Sequence, residues 1–133
     1  MHESFKLISF PQIRSFGDIK IHIDCENELR EIERDYCNKE KFLSDLRARL
    51  NYLNEKREEA VFHREWFEKL KHAEKLYSMH MAKINNTRVL YCFYERKIYL
   101  LCAFCEKSRG KRDSYPQFIE IAEKRYSDIF KEA

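Results

Sequence analysis

The sequence predicts an α+β domain, with helices packed on a small antiparallel sheet. Three observations predict it. Apolar residues alternate with period two near the N-terminus, recur at helical spacing from Asp24 to about Lys56, and form β-branched and aromatic runs after Leu76. Only two glycines and two prolines (Gly17, Gly110, Pro11, Pro116) interrupt the 133 residues, so long elements with short connections are expected. A final stretch beyond Ser114 returns to helical spacing.

Taken in order, FKLISF (Phe5–Phe10) is a short β-like run closed by Pro11. DIKIHI (Asp18–Ile23) sets Ile19, Ile21 and Ile23 against Asp18, Lys20 and His22, the pattern of a half-buried strand. Either could be the first strand, and the two can pair through the turn around Gly17. Asp24 is placed to cap a helix carrying Leu29, Ile32 and Tyr36, and a second run follows with Phe42, Leu46, Leu50 and Leu53. This is a helical hairpin or one helix broken near Asn38. A third amphipathic stretch holds Val61, Phe62, Trp66, Phe67 and Leu70 on one side. From Leu76 onward, three strand-like runs are separated by Asn85-Asn86 and Glu95-Arg96, where tight hairpin turns fall, so an antiparallel meander is expected. Its last two strands are apolar at nearly every position, as in strands covered on both faces. A basic loop (Lys107–Arg112) then leads to a helix opened by Ser114 or Tyr115-Pro116.

Composition bounds the function. A hydrophobic share of 44% excludes wholesale disorder. Net charge is +3, unevenly spread: residues 61–133 carry 15 Lys/Arg against 10 Asp/Glu, and residues 1–60 carry 11 against 13. A basic C-terminal half suits an anionic partner such as nucleic acid. No apolar run is long enough to span a membrane, and the start MHESFKLISF lacks a signal-peptide pattern, so a cytoplasmic protein is expected. In that reducing setting the five cysteines are expected as free thiols. Cys102 and Cys105 lie three apart in a strand and point to opposite faces, so they are not read as zinc ligands. With two glycines there is no phosphate-cradling loop.

The C-terminal stretch carries a set of motifs in a fixed order. Leu76-Tyr77 leads into a strand, and Arg88-Val89-Leu90-Tyr91 opens a hairpin. Lys97 to Ser108 reads as a strand ending in phenylalanine and then lysine, and Glu120-Ile121-Ala122 to Arg125 closes the series in a helix. Over about residues 76–130 this resembles the RelE/HigB-type toxins of bacterial type II toxin–antitoxin pairs, the HigB branch most. The resemblance implies a RelE-like fold, here with an extended helical N-terminal half, as one domain over residues 1–133. It also implies an endoribonuclease acting on mRNA, free or on the ribosome, and a cognate antitoxin that holds it inactive. No cofactor and no metal are implied.

RNA cleavage of this kind needs the 2′-OH to attack phosphorus, a group to take its proton, cations to stabilise the phosphorane, and an acid for the leaving 5′-oxygen. Arg88 matches the family's strand arginine and would clamp phosphate; the alternative is a strand arginine paired to a glutamate. His80 lies where relatives carry lysine or histidine and could exchange protons, or it is an ordinary solvated or core histidine. Lys107 matches the basic strand end and completes the expected catalytic set. Lys83, Arg109, Lys111 and Arg112 are candidate contacts to the RNA backbone, and Tyr115 could stack a base, act in proton transfer, or pack the helix start.

Two rival readings stand beside this one. A non-catalytic toxin on the same fold, such as a gyrase-binding poison, would not gather Arg88, His80 and Lys107 in one cleft. A phage-borne relative with a decayed site fits the acidic Glu106 beside Lys107, which weakens attraction for phosphate.

Overall fold

The computed structural model describes residues 3–10, 12–71, 73–106 and 111–131, with the backbone alone for residues 111–114. It is an α+β structure with a six-stranded mixed sheet and three helices. The chain runs β1 (Phe5–Leu7), β2 (Ile19–His22), α1 (Ile23–Asp35), α2 (Lys39–Lys56), a 3-10 segment (Arg57–Phe62), β3 (Phe67–Lys69), β4 (Tyr77–Met81), β5 (Thr87–Tyr94), β6 (Lys97–Cys105) and α3 (Lys111–Lys131).

The spatial order of the strands is β1-β2-β6-β5-β4-β3. The β4-β5-β6 meander forms as its patterning predicts, and both turns are built from two consecutive residues at positive φ: Asn85 (49°) and Asn86 (52°), then Glu95 (46°) and Arg96 (68°). Asparagine tolerates that conformation readily. The Glu95-Arg96 turn has an outside support, a hydrogen bond from the Arg57 guanidinium to the Arg96 carbonyl.

The sheet is larger than the small antiparallel one expected, and it is mixed. β2 lies parallel to β6, pairing Ile19 with Ile98 and Ile21 with Leu100. A parallel pair needs a long crossover, which α1, α2 and the start of the meander supply. β1 and β2 pair antiparallel, joined by a connection much longer than a tight turn at Gly17.

The helical hairpin forms with its break at Asn38, whose side chain accepts from the Lys41 N–H at 3.0 Å and starts α2. Asp24 is not the cap of α1. The helix begins at Ile23, two residues earlier than an Asp24 cap would allow, and His22 caps it by accepting from the Asp24 N–H at 3.1 Å. The amphipathic stretch at Val61–Leu70 does not continue as a helix beyond the 3-10 segment that ends at Phe62. Phe67 enters β3 opposite Met79, packed between Tyr52 and Tyr91, and Phe62 is left 76% exposed. A short edge strand satisfies the same apolar spacing that a helix would. α3 starts three residues before Ser114, and Pro116 sits inside it, where it removes a single intrahelical bond.

α1 and α2 cover one face of the sheet through Leu29, Leu46, Leu50 and Leu53 against Ile21, Met79, Val89 and Leu100. On the other face lies α3, with Ala122 and Ile129 over Leu90, Cys92, Leu101 and Phe104. Cover on both sides explains why β5 and β6 are apolar at nearly every residue. Cys102 belongs to the α3 side and Cys105 packs against the other, and all five cysteines are free thiols. Among the described residues no helix is long and apolar enough to cross a membrane.

Candidate functional site

Alternation along β4 turns Met79 and Met81 into the core under α1 and α2, and so turns Ser78 and His80 toward α3. His80 is the register partner of Arg88 on β5, and directly opposed residues of an antiparallel pair share a face. Glu106 follows β6 two residues beyond Phe104, the partner of Arg88. Tyr115 reaches the same place from the start of α3, its ring centroid 5.7 Å from the Arg88 guanidinium carbon.

The bonds within this cluster are specific. Arg88 Nε donates to Glu106 Oε2 at 3.2 Å, and Nη1 donates to Glu68 Oε1 at 3.1 Å and to Ser78 Oγ at 3.2 Å. The Arg88 side chain is 11% exposed, that of Glu106 4% and that of Glu68 53%. Asn86 ties the far side together. Its side-chain amide donates to the Glu106 backbone carbonyl at 2.9 Å and to Glu106 Oε1 at 3.4 Å, and its backbone carbonyl accepts from the Glu106 N–H at 2.9 Å. The Asn86 Oδ1 meets His80 Nε2. Because the Asn86 amide is already donating to Glu106, its oxygen must accept, so the neutral His80 carries its proton on Nε2 and its lone pair on Nδ1.

Burial lowers the His80 pKa below its ordinary value; the Asn86 hydrogen bond and the Glu106 charge oppose that, and the Arg88 and Arg49 charges reinforce it. The imidazole is therefore held neutral near pH 7. Burial raises the Tyr115 hydroxyl above an ordinary phenol. That hydroxyl completes no hydrogen bond of normal length and angle among the described residues, although Ser78 lies close enough to lower its pKa.

Of the residues expected from sequence, His80, Arg88 and Tyr115 meet here. Lys83 does not join them. It lies in the turn after β4, its carbonyl accepts from the Tyr36 hydroxyl at 3.0 Å, and it lines a separate groove of about 300 Å³ with Lys41, Asp45, Arg49, Glu65 and Trp66. Lys107 and Arg109 lie outside the described residues. Lys111 and Arg112 occupy the first two positions of α3, and their side chains also lie outside the described residues.

Sequence reasoning missed Glu68, Ser78 and Asn86, and named Glu106 only as a sign of decay. Ser78 carried a signal, since it shares the parity of His80 between apolar neighbours. Glu68 carried none, because it sits in a strand that reads as helix. The arrangement is a cation held between two carboxylates, next to a neutral imidazole and two hydroxyls. It holds groups able to accept and donate protons beside a guanidinium able to grip an oxyanion. In comparisons with protein-family models, with curated proteins and with solved structures, the chain finds no match.

Proposed function

We propose that this chain is a RelE/HigB-type toxin of a type II toxin–antitoxin pair, a one-domain cytoplasmic endoribonuclease that cleaves mRNA and is silenced by a cognate antitoxin. The observation that carries the reading is the adjacency of His80 and Arg88 on neighbouring strands, with Glu106 and Tyr115 closing around them. The element order lends support in part: two helices, a three-stranded meander and a final helix follow in the expected sequence, although two strands precede the helices and the edge strand β3 precedes the meander.

In this reading the RNA 2′-oxygen attacks the adjacent phosphorus and the bond to the 5′-oxygen breaks, leaving a 2′,3′-cyclic phosphate and a 5′-hydroxyl. His80 exchanges protons through Nδ1, and Arg88 stabilises the charge of the crowded phosphorane. Lys107, the remaining member of the expected catalytic set, supplies further positive charge in this reading. The chemistry requires no metal.

The test is induced expression in bacteria of the wild type and of Arg88→Ala, reading growth and mRNA 5′ ends together. Growth arrest with new 5′-hydroxyl ends, both lost in the variant, is the expected result. A second reading, a toxin that binds its target without cleaving RNA, has one observation in its favour: Arg88 is already engaged by two carboxylates. Arrest with intact mRNA would favour it, and no arrest would remove the toxin reading.

A further inference from the structure

In the cluster at the rim of β3, β4 and β5, one guanidinium faces two carboxylates, so the described side chains of the site sum to a net negative charge. A phosphodiester approaching it meets repulsion unless one carboxylate leaves. The two are not equally able to leave. Glu106 is 4% exposed, and three hydrogen bonds with Asn86 hold its backbone and side chain. Glu68 is 53% exposed and stands on a three-residue edge strand, and among the described residues its carboxylate bonds only Arg88.

Glu68 and Ser78 share one donor, Arg88 Nη1. Ser78 Oγ, which accepts from Nη1, keeps its own proton for another acceptor. The enclosed Tyr115 hydroxyl is near enough to Ser78, Arg88 and Glu68 to feel all three, and among the described residues it completes no hydrogen bond of normal length and angle. An arginine with two hydroxyls beside its guanidinium and a single exchangeable carboxylate on it makes an oxyanion seat with an occupant from the chain itself.

We propose that the Glu68 carboxylate is a built-in competitor, occupying the oxyanion seat formed by Arg88, Ser78 and Tyr115 that an RNA phosphodiester takes over by displacing it. The inference rests on the nuclease reading for the identity of the anion, and on geometry alone for the seat. Glu68 then sets the affinity threshold for substrate: weak anions leave it in place, and a polyanion held by further contacts pushes it out.

The experiment measures equilibrium binding of two uncleavable probes, inorganic phosphate and a 2′-O-methyl oligonucleotide, to the full chain. The proteins are wild type, Glu68→Gln, Glu68→Ala and the double variant Glu68→Gln/Arg88→Gln, with thermal unfolding as the folding control. Both single variants are expected to bind the oligonucleotide about tenfold more tightly than wild type, the order expected from removing one like charge beside an anion site. The double variant is expected to lose that gain. A parallel gain for inorganic phosphate identifies the seat as a general phosphate site, and a gain for the oligonucleotide alone assigns it to the nucleic-acid backbone. Equal or weaker binding of both probes by folded Glu68 variants overturns the proposal. Neither probe can be cleaved, so the outcomes separate. Tighter binding without cleavage of ordinary RNA keeps the seat and removes the nuclease, and cleavage with unchanged binding does the reverse.

Discussion

Tyr91 is the largest fully buried side chain, and it carries a polar atom that the core does not use. Its ring stacks on Tyr77 and meets Phe67 and Phe93 edge-on, while its hydroxyl finds no hydrogen-bond partner among the described residues. Burial drives the phenol pKa far upward, so the group remains neutral. A buried hydroxyl without a partner costs more than its contacts return. Tyr91→Phe is therefore expected to be neutral or to stabilise the fold by about 1 kcal/mol. A urea unfolding curve reads this directly, and a clear loss of stability would mean that the hydroxyl has a partner. Arg88 is the opposite case at the same scale: both carboxylates it binds come from outside the strand pattern around it. The parity of His80 and Arg88 was readable, because alternation beside Met79, Met81 and Val89 is a local property. The carboxylate partners of Arg88 lie 18 and 20 residues away along the chain, and no local pattern connects them.

Among the elements, the sheet has a problem that the parallel pairing creates. β2 ends at His22, so β6 beyond Leu100 has no strand on that side. Two side chains from helices complete the edge. Glu28 of α1 accepts from the Ala103 N–H at 3.0 Å, and Arg125 of α3 donates to the Leu101 carbonyl at 2.8 Å. The two also form an ion pair at 2.8 Å, which links α1 and α3 across the end of the sheet. On the other side, Arg49 of α2 does the same for β4, donating from Nε to the His80 carbonyl at 2.8 Å while its guanidinium lies over Trp66. Arg125→Ala leaves Glu28 partly buried and without its cation, and is expected to cost about 2 kcal/mol. Arg125→Ala/Glu28→Gln should recover part of that loss, which a double-mutant cycle by chemical denaturation measures. If the two substitutions added without coupling, the edge-sealing role would fail. Sequence analysis placed Arg125 in a helix motif and had no reason to pair it with Glu28.

At the scale of the whole molecule, several groups make folding depend on pH in the same direction. His80 has a lowered pKa, so the unfolded chain binds more protons than the folded one as pH falls below about 6.5, and stability declines there. Burial raises the Asp128 and Glu26 pKa values, but hydrogen bonds and charge outweigh it: His22 and Lys131 for Asp128, Lys6, Ser9 and Arg30 for Glu26. Both end below ordinary carboxylates. Their contribution is present above the unfolded values of 3.8 and 4.5 and is lost as pH falls through the folded ones. The expected melting profile therefore has a shallow decline below about pH 6.5 and a steeper one below about pH 4.5. His80→Gln should flatten the first decline alone. A profile unchanged by that substitution would contradict the assignment.

What the sequence determined by itself is what short-range chemistry decides. Alternation marked β2 and β4, helical spacing marked α1, α2 and α3, and two turn-forming pairs marked the meander at Asn85-Asn86 and Glu95-Arg96. Continuous apolar runs in β5 and β6 announced a sheet covered on both faces. Only the tertiary structure decided that β2 lies parallel to β6, that Phe67 enters an edge strand and no helix forms there, and that Glu68, Glu106 and Ser78 surround Arg88. The physical reason is distance along the chain. A residue's own periodicity and turn preference act over a few neighbours, whereas strand partners and the charges that meet in a site are chosen by the packing of segments far apart in sequence.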